Sequence, residues 1–359
     1  MVKNLVVYPY NHDVEILLKY KEWLMDYHIT GAVSFKEHSL IMEKLQKKHK
    51  FMESQNLKSV LDFAQILYLC DPMGEYISEQ YSFAIEEAVK NKKEILLSRA
   101  LFNKLNDQLL KKNRLRPECI LKNDYIMKNV YNTNRLLELP IPVIAIAGLG
   151  EKCSKFETQI LVNQVVSEMG YRPLTFSTNI LGSLFGMYSL PDMLFGKEFS
   201  YQEKIIQFNH YVYDICKSQN PDVIIIGYPS GVMPLGEHYY NYFGEIPSIM
   251  SYAVPSDIGI LNLYYAENME EEYLKNLQNY CMQKYSFPVE AFCVAAQRVE
   301  YSPADKVFEF YFLGDEFLEK HYPQIDQNSL RMINITDICG AKQVIESLIQ
   351  LLEQNVNSL

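Results

Sequence analysis

An apolar run that leads into a glycine loop and then a lysine constrains this sequence more than any other feature. The run Val143–Ala147 is apolar at every position, and Gly148 and Gly150 follow it before Lys155. An apolar run of strand length indicates a strand buried on both faces, as in a parallel sheet covered by helices. A glycine loop between such a strand and a helix directs backbone N–H groups and the helix N-terminus to one point, where lysine adds positive charge. The segment therefore predicts an α/β domain with an anion site.

Alternating strands and helices are predicted along the rest of the chain. In the first part, strands are predicted over 5–8, 29–35, 65–70 and 94–98, with helices over 14–26 and 78–90. In the second part, strands are predicted over 143–147, 172–177, 221–227, 258–265, 291–295, 307–312 and 331–335, with helices over 155–169, 201–218 and 341–354. Alternation at these lengths favours parallel sheets with helices on both faces.

Two prolines near the middle of the chain mark a predicted domain boundary. Pro140 and Pro142 stop the preceding helix and stiffen the crossing, because proline is restricted in backbone conformation and restricts the residue before it. We therefore expect two α/β domains, an N-terminal Rossmann-like parallel sheet over 1–138 and a second parallel sheet over 139–359. Gly170 is predicted to end the helix that begins at Lys155.

Charge and composition exclude several functional classes. The formal net charge is -10, from 34 Lys and Arg against 44 Asp and Glu. An acidic surface repels a phosphate backbone, so no nucleic-acid partner is expected. No apolar run reaches the ~18 residues of a membrane helix and no signal pattern precedes the first strand, so a cytoplasmic protein without a membrane partner is expected. The seven cysteines are scattered without a C-x-x-C pair, and no metal site is predicted.

The glycine loop is similar to the phosphate loop of P-loop NTPases of the dethiobiotin synthetase and nitrogenase-iron-protein class. The match is Gly148, five residues, Ser154 and Lys155. That class ends the loop with Gly-Lys-Thr or Gly-Lys-Ser, whereas this chain has Phe156 after the lysine. Phe156 lacks the hydroxyl that holds Mg²⁺ in the class. Ser154 replaces a glycine that lets phosphate approach the backbone. The resemblance therefore implies a degenerate P-loop domain.

A second glycine loop follows the buried strand over 221–227. The P-loop class has Asp-x-Pro-x-Gly at this place, with the Asp near the metal. This chain has the segment Gly227–Gly231, in which the proline and the last glycine remain and the aspartate is absent. The residues after the strand over 172–177, Thr178 and Asn179, likewise offer no carboxylate where the class often places one. Both metal-binding positions are therefore predicted to be lost.

The two loops together form the candidate nucleotide or anion site, for which the resemblance implies ATP or GTP. Two interpretations stay open: the loops bind an anion through their amides with Lys155 and Lys152, or they only turn the chain. No catalytic residue is predicted. The candidate residues are Gly148, Gly150, Lys152, Ser154, Lys155, Gly227, Pro229, Ser230 and Gly231.

Four further features have two interpretations each. Cys153 is either a reactive thiol with a lowered pKa at a helix N-terminus or an ordinary loop cysteine. His12, Asp13 and Asp71 either share a crevice beyond the strand ends or serve as a helix cap and a turn. The Phe- and Met-rich segment over 184–196 is either a partner surface or lid, or packed core. The aromatic cluster His238–Phe243 either lines the loop site or packs into the core.

Nearly the whole chain resembles the clostridial peptide maturation system protein family, which belongs to natural-product (bacteriocin) cassettes. The resemblance rests on Ile144–Phe156, on Phe185-Gly186 with the loop at Pro191, on Phe208–His210 and on Pro221–Leu235. Members of that family are encoded beside a radical-SAM peptide maturase and a short precursor peptide. The resemblance therefore implies these two partners and a pathway, but no reaction.

Two functions are consistent with these features. The first is an accessory protein of ribosomal-peptide maturation that binds the precursor peptide as a scaffold for the modifying enzyme, favoured by the lost metal positions and the aromatic loops. The second is a nucleotide-dependent enzyme, ligase-like or kinase-like, that acts on the peptide through a non-standard P-loop. The retained Gly148, Gly150 and Lys155 favour the second.

Overall fold

The structure is a computed structural model that describes residues 2–10, 12–33, 52–54, 56–72, 78–123, 130–236, 244–303, 307–323 and 330–356. The chain forms two compact units, Met1–Tyr125 with Asn179–Ser189, and Ile126–Thr178 with Leu190–Leu359. The segment Asn179–Ser189 belongs with the first unit because its backbone is bonded there. Asn123 Nδ2 donates to the Gly186 carbonyl at 2.9 Å, and the Ser189 N–H donates to the Asn123 carbonyl at 3.0 Å.

The first unit is built on a parallel sheet with a Rossmann-type strand order, β3-β2-β1-β4-β5. Its strands are β1 (Lys3–Tyr8), β2 (Tyr27–Val33), β3 (Met52–Ser54), β4 (Ile66–Leu69) and β5 (Glu94–Leu97). Its helices are α1 (His12–Lys19), α2 (Leu57–Leu61), α3 (Ser78–Lys90), α4 (Arg99–Lys104) and α5 (Asp107–Asn113). The predicted N-terminal Rossmann-like sheet is confirmed.

The second unit contains a second parallel sheet, in which the strands run in the order β14-β11-β10-β6-β9-β7. These strands are β6 (Val143–Gly148), β7 (Pro173–Ser177), β9 (Val223–Gly227), β10 (Ile258–Leu263), β11 (Val289–Val294) and β14 (Arg331–Asn334), and β8 is Tyr188–Ser189 of the first unit. The helices are α6 (Lys155–Glu168), α7 (Tyr201–Gln219), α8 (Glu245–Ala253), α9 (Glu271–Tyr285), α10 (Asp315–His321) and α11 (Ile338–Val356). The strand that carries the glycine loop, β6, is central and buried at all positions.

Two predicted elements differ from the structure. The helix predicted over 14–26 is shorter, because α1 ends at Lys19 and a 3₁₀ turn follows at Lys21–Trp23. The chain then extends from Leu24 into β2, and Tyr20 stacks on Trp23 at 5.0 Å between ring centroids. The strand predicted over 307–312 is β13 (Val307–Phe312), which pairs antiparallel with β12 (Gln297–Ser302) in a separate two-stranded hairpin.

Candidate functional site

The first glycine loop leaves the central strand β6 and turns directly into helix α6. The Leu149 N–H donates to the Asn262 carbonyl of β10 at 3.0 Å, which extends the sheet bonding one residue past the strand. Lys152 and Ser154 both adopt a φ of 49°. Left-handed backbone costs a non-glycine residue roughly 1–2 kcal/mol. The loop therefore holds its tight path against local strain, and other contacts must stabilise it.

The second glycine loop follows β9 and lies in direct backbone contact with the first. The Val232 N–H donates to the Gly148 carbonyl at 3.0 Å. A Cβ atom on Gly231 would lie 2.2 Å from the Leu149 carbonyl oxygen and 2.9 Å from Gly150 Cα. Because both neighbours are backbone atoms, only glycine fits between the loops. Two of the candidate glycines, Gly150 and Gly231, are therefore brought together.

Lys155 bridges the two loops. It is the first residue of α6 and is buried, with 7% of its surface exposed. Its Nζ donates to the Gly150 carbonyl at 2.5 Å and also to the Ser230 carbonyl, so each loop supplies one acceptor. The aliphatic part of the side chain lies over Gly148, where an added Cβ would be 3.1 Å from both Lys155 Cγ and Cδ. The ammonium group is thus held by the chain itself.

Burial changes the proton affinities of the two titratable groups beside this bridge. Loss of water lowers the pKa of Lys155 from 10.5 to about 8, against the opposing influence of Cys153 and Glu151. At pH 7 the amine is therefore still mostly protonated and donates to both carbonyls. Burial raises the pKa of the Cys153 thiol to about 12, and its Sγ donates to the Asn262 carbonyl at 3.2 Å. The hypothesis of a reactive thiol with a lowered pKa is therefore wrong.

Ser154 and Lys152 contact the hairpin β12–β13 and its base. Ser154 Oγ donates to Gln297 Oε1 at 2.9 Å and accepts from the Ala296 N–H at 3.3 Å. Lys152 is exposed, and its Nζ lies 5.2 Å from the centroid of the Phe310 ring. A cation over an aromatic ring is attracted by the ring quadrupole. Neither side chain shares the pair of carbonyls that holds Lys155.

Gln159 fills the space beside Gly227, the position at which the P-loop class has its aspartate. A Cβ on Gly227 would lie 2.3 Å from Gln159 Nε2. The buried amide donates to the Phe176 carbonyl at 2.8 Å, and its Oε1 accepts from the Thr178 N–H at 3.1 Å. A neutral amide from α6 is therefore bonded to the end of β7 and lies against Gly227 of β9. The sequence predictions did not include Gln159.

Asn262 forms a second polar contact beneath the loop that the predictions missed. It is fully buried on β10, where Nδ2 donates to the Ala147 carbonyl at 2.8 Å and Oδ1 accepts from Thr158 Oγ1 at 2.6 Å. A single asparagine within the apolar strand Ile258–Leu263 is the sequence signal that points to it. A buried polar side chain of this kind fixes the register of its neighbours because its hydrogen bonds are costly to lose.

Pro229 and Ser230 complete the second loop, and both are buried. Ser230 has a φ of 58° and supplies its carbonyl to Lys155. Its hydroxyl is buried and makes no hydrogen bond with any described residue. This hydroxyl is a free polar group beside the bridging lysine.

Of the other sequence candidates, the structure describes Asp71 and the segment over 184–196. Between 184 and 196, most of the large apolar side chains are buried, including Leu184, Phe185, Met187, Met193 and Leu194, so packed core is the correct interpretation for them. Asp71 accepts a hydrogen bond from Ser98 Oγ at 2.6 Å. The cluster His238–Phe243 and the side chains of His12 and Asp13 lie outside the part that the structure describes.

Two properties of the described residues concern metal binding and membrane crossing. Among these residues, no group of three or more His, Cys, Asp or Glu side chains is placed to hold a metal ion. Within the same ranges, every helix falls short of the length and apolar character needed to cross a membrane.

Comparison with known proteins supports the fold. No protein-family model matches the chain, and no curated protein is significantly similar to it. A DUF1611 family protein from Anabaena variabilis is similar in structure, with a TM-score of 0.62 and 12% identity over 97% of this chain and 99% of that one. At this identity the likeness shows the α/β fold alone.

Two other solved structures are too dissimilar to carry an argument. Chloroplast FtsY from Physcomitrella patens has a TM-score of 0.27 and 14% identity over 78% of each chain. D-mandelate dehydrogenase from Rhodotorula graminis has a TM-score of 0.18 and 8% identity over 97% of this chain and 92% of that one.

Proposed function

We propose that this protein is an accessory binding protein of ribosomal-peptide maturation, with glycine loops that have a structural role. Its partners in this proposal are the precursor peptide and the radical-SAM maturase, which the family resemblance implies. The observation that carries the proposal is the position of Lys155, whose ammonium bridges the Gly150 and Ser230 carbonyls. A lysine used in this way is not available to a phosphate group.

The hydrogen bonds of Lys155 set the cost of turning the loops into a nucleotide site. A phosphate would have to take the ammonium away from two carbonyl acceptors. A hydrogen bond to a charged group contributes about 1.5–3 kcal/mol, so the loss of two costs roughly 3–6 kcal/mol. At 1.4 kcal/mol for each tenfold change, this lowers nucleotide affinity by about 10²- to 10⁴-fold.

The positions that would hold Mg²⁺ support the same proposal. Phe156 stands where the hydroxyl ligand is needed, and Gln159 occupies the space into which a side chain at position 227 would project. A nucleotide triphosphate without its metal carries uncompensated charge, which one lysine neutralises only in part. A protein that only binds a peptide does not need Mg²⁺ ligands at these positions.

Calorimetry tests the nucleotide part of the proposal. ATP and GTP are titrated into the full chain with and without Mg²⁺, and the same titrations are made on Lys155→Met and on Lys152→Ala, the exposed lysine of the same loop. We expect no saturable binding to any of the three proteins. Binding to the wild type that survives in Lys152→Ala and is lost in Lys155→Met contradicts the proposal.

Co-purification tests the binding part. The tagged full chain is co-expressed with the short peptide and the radical-SAM enzyme encoded beside its gene, and the retained proteins are identified by mass spectrometry. We expect the peptide to be retained and the maturase to be retained more strongly when the peptide is present. If neither partner is encoded near the gene, or if the peptide is not retained, the proposed role in peptide maturation is wrong.

A nucleotide-dependent enzyme is the second candidate function, and the Ser230 hydroxyl favours it. This hydroxyl is buried beside the Lys155 bridge and has no hydrogen-bond partner among the described residues, and a phosphate oxygen would satisfy it. Under this alternative, Ser230→Ala weakens nucleotide binding by about tenfold. Under the accessory-protein proposal, the same change leaves partner binding unaltered.

A further inference from the structure

The hairpin β12–β13 belongs to the second unit. One of its faces packs in part against the rest of that unit, with Tyr301 and Phe312 of this face 52% and 48% exposed, and the other face is exposed. On the packed side, Phe310 lies 5.9 Å from Tyr264 between ring centroids and under Lys152, and an added Cβ on Gly236 would be 3.1 Å from the Phe308 ring. Alternate residues of a strand point to opposite faces. The opposite side, which we call the outer face, consists of three cross-strand pairs: Arg298 with Tyr311, Glu300 with Glu309, and Ser302 with Val307.

The outer face combines apolar surface with unbalanced negative charge. Val307 and Tyr311 are 44% and 45% exposed. Between them, Glu309 lies directly opposite Glu300, and like charges at such a pair are unfavourable. Arg298 compensates only part of this charge, since its Nε lies 2.7 Å from Glu300 and its Nη1 lies 3.7 Å from Glu267. Two carboxylates thus share one guanidinium, while Glu309 accepts a hydrogen bond from the Tyr311 hydroxyl and has no cation beside it in the described residues.

The edges of the hairpin offer backbone bonding as well. Within the described residues, β12 and β13 pair only with each other. The Gln297 carbonyl at the start of β12 accepts from the Tyr265 N–H at 2.8 Å, whereas β13 presents an edge that has no strand neighbour in the described part of the chain. An edge strand of this kind pairs with an extended peptide, whose backbone supplies affinity and whose side chains supply specificity. Six residues on each strand define the length of such a peptide.

The charge of the outer face selects among the possible occupants. A second copy of this chain would bring Glu300 and Glu309 against the same carboxylates, which is unfavourable. Nucleic acids and anionic lipid surfaces are repelled for the same reason. A peptide that alternates basic and apolar side chains and adds to the edge of β13 would place its cations on the outer face beside Glu309 and its apolar groups on the opposite face beside Phe312, which is 48% exposed.

We infer that the outer face of the hairpin binds a basic, extended segment of the precursor peptide by strand addition. This inference rests on the proposed accessory function and specifies where and how the peptide is recognised. A six-residue strand buries far less than the ~1,200 Å² of a stable interface, so the contact is weak, with a dissociation constant in the micromolar range.

Fluorescence polarisation with synthetic peptides tests this inference. The probes are labelled octapeptides that alternate Lys with Val and Glu with Val, added to the full chain. We expect saturable binding of the Lys–Val peptide, no binding of the Glu–Val peptide, and weaker binding at high salt. The double variant Glu300→Gln/Glu309→Gln should weaken the Lys–Val peptide by about tenfold or more. Glu272→Gln/Glu346→Gln, which removes two exposed carboxylates from α9 and α11, should change it less than twofold.

Two further measurements test the geometry. N-methylation of alternate peptide residues blocks backbone donors on one edge only, so one methylated series should lose binding while the other retains it. Equal affinity of both series, or of the two double variants, overturns the inference. A dimer in analytical ultracentrifugation that only the Glu300→Gln/Glu309→Gln variant abolishes also overturns it, because the face is then a contact between copies.

Failure of this inference and failure of the proposed function are distinguishable. If the natural precursor peptide binds the wild type and the Glu300→Gln/Glu309→Gln variant equally, the accessory function stands and the outer face is excluded. If no precursor peptide binds the wild type, the proposed function is wrong, and the inference about the outer face is wrong with it.

Discussion

The Gly231→Ala variant probes how strongly the two glycine loops depend on each other. The added Cβ would lie 2.2 Å from the Leu149 carbonyl oxygen, whereas ordinary contact begins near 3.4 Å. The loops must therefore separate by roughly 1 Å. Because Lys155 reaches one carbonyl in each loop, this separation breaks at least one of its two hydrogen bonds.

The expected loss of stability follows from two costs and one gain. Forcing a methyl group into a packed site costs about 1–3 kcal/mol. Loss of one hydrogen bond from a buried charged donor adds about 1.5–3 kcal/mol. Replacing glycine by alanine returns about 0.4–1 kcal/mol by restricting the unfolded chain. The net destabilisation is about 2–5 kcal/mol, which for a unit of this size lowers Tm by on the order of 10 °C.

Thermal unfolding by differential scanning calorimetry and urea unfolding by circular dichroism measure this loss. Gly314→Ala is the matched control, since an added Cβ there meets no atom within 4 Å and the backbone φ is −71°. We expect the control to remain within about 0.5 kcal/mol of the wild type, as for surface changes in general. If Gly231→Ala unfolds together with the control, the loops are not in contact and the argument from Lys155 fails with them.

Three shorter predictions test the chemistry around the loops. The pKa of Lys155 is about 8 in the folded protein and 10.5 in the unfolded chain, so between pH 8 and 10.5 the unfolded chain binds more protons. The unfolding free energy of the wild type should therefore rise by up to ~1.4 kcal/mol per pH unit relative to that of Lys155→Met. A difference between the two proteins that does not change with pH in urea unfolding contradicts this. Cys153 should resist iodoacetamide in the folded protein while the exposed Cys339 reacts, as mass spectrometry of the digested protein will show. Asn262→Ala should cost about 2–3 kcal/mol in unfolding free energy because two buried partners lose their bonds, whereas the exposed Asn91→Ala should cost less than about 0.5 kcal/mol.

The elements that depend on continuous apolar runs were predictable from the sequence. The core strand β6 ends within one residue of its predicted end, and β9 begins two residues after its predicted start. Both were predictable because a strand buried on both faces is apolar at nearly every position, and such a run is visible in the sequence. Gly170, which adopts a φ of 91°, follows helix α6 as predicted. The residue types within each segment were sufficient to predict these two strands and this helix end.

Two helices of the second unit, α8 and α9, were not predicted from the sequence. Helix α8 has Pro247 as its third residue, and proline weakens a helix prediction although the first turn tolerates it. Helix α9 buries Leu274, Leu277, Cys281 and Tyr285, spaced by three or four residues, so a helical period was present in the sequence.

The partners of the site residues were not predictable, because they come from distant parts of the chain. Gly148, Gly150 and Lys155 of the first loop are close in sequence and were identified together. Gln297, by contrast, is 143 residues from Ser154, and Asn262 is 104 residues from Thr158. The order of strands in the sheet brings Asn262 to Thr158, and the separate hairpin brings Gln297 to Ser154; a single sequence contains neither arrangement in any local pattern.

The Ser154→Gly variant separates the two roles that a serine at this position combines. Ser154 adopts a left-handed backbone, which glycine adopts without strain, so the substitution relieves roughly 1–2 kcal/mol. It also removes the hydrogen bonds of Ser154 Oγ to Gln297 and to the Ala296 N–H at the base of the hairpin. These bonds contribute about 0.5–1.5 kcal/mol each, so global stability should change little.

The hairpin should respond to this variant even though the global stability does not. Hydrogen exchange of the Val307–Phe312 amides should become faster in Ser154→Gly, because β13 is anchored through β12 to the first glycine loop. Ser286→Gly is the matched control, since Ser286 is exposed at the end of α9 with a φ of 54° and gains the same backbone relief. Equal exchange in the two variants contradicts the anchoring. Faster exchange in Ser154→Gly alone means that the first glycine loop supports the hairpin through this serine.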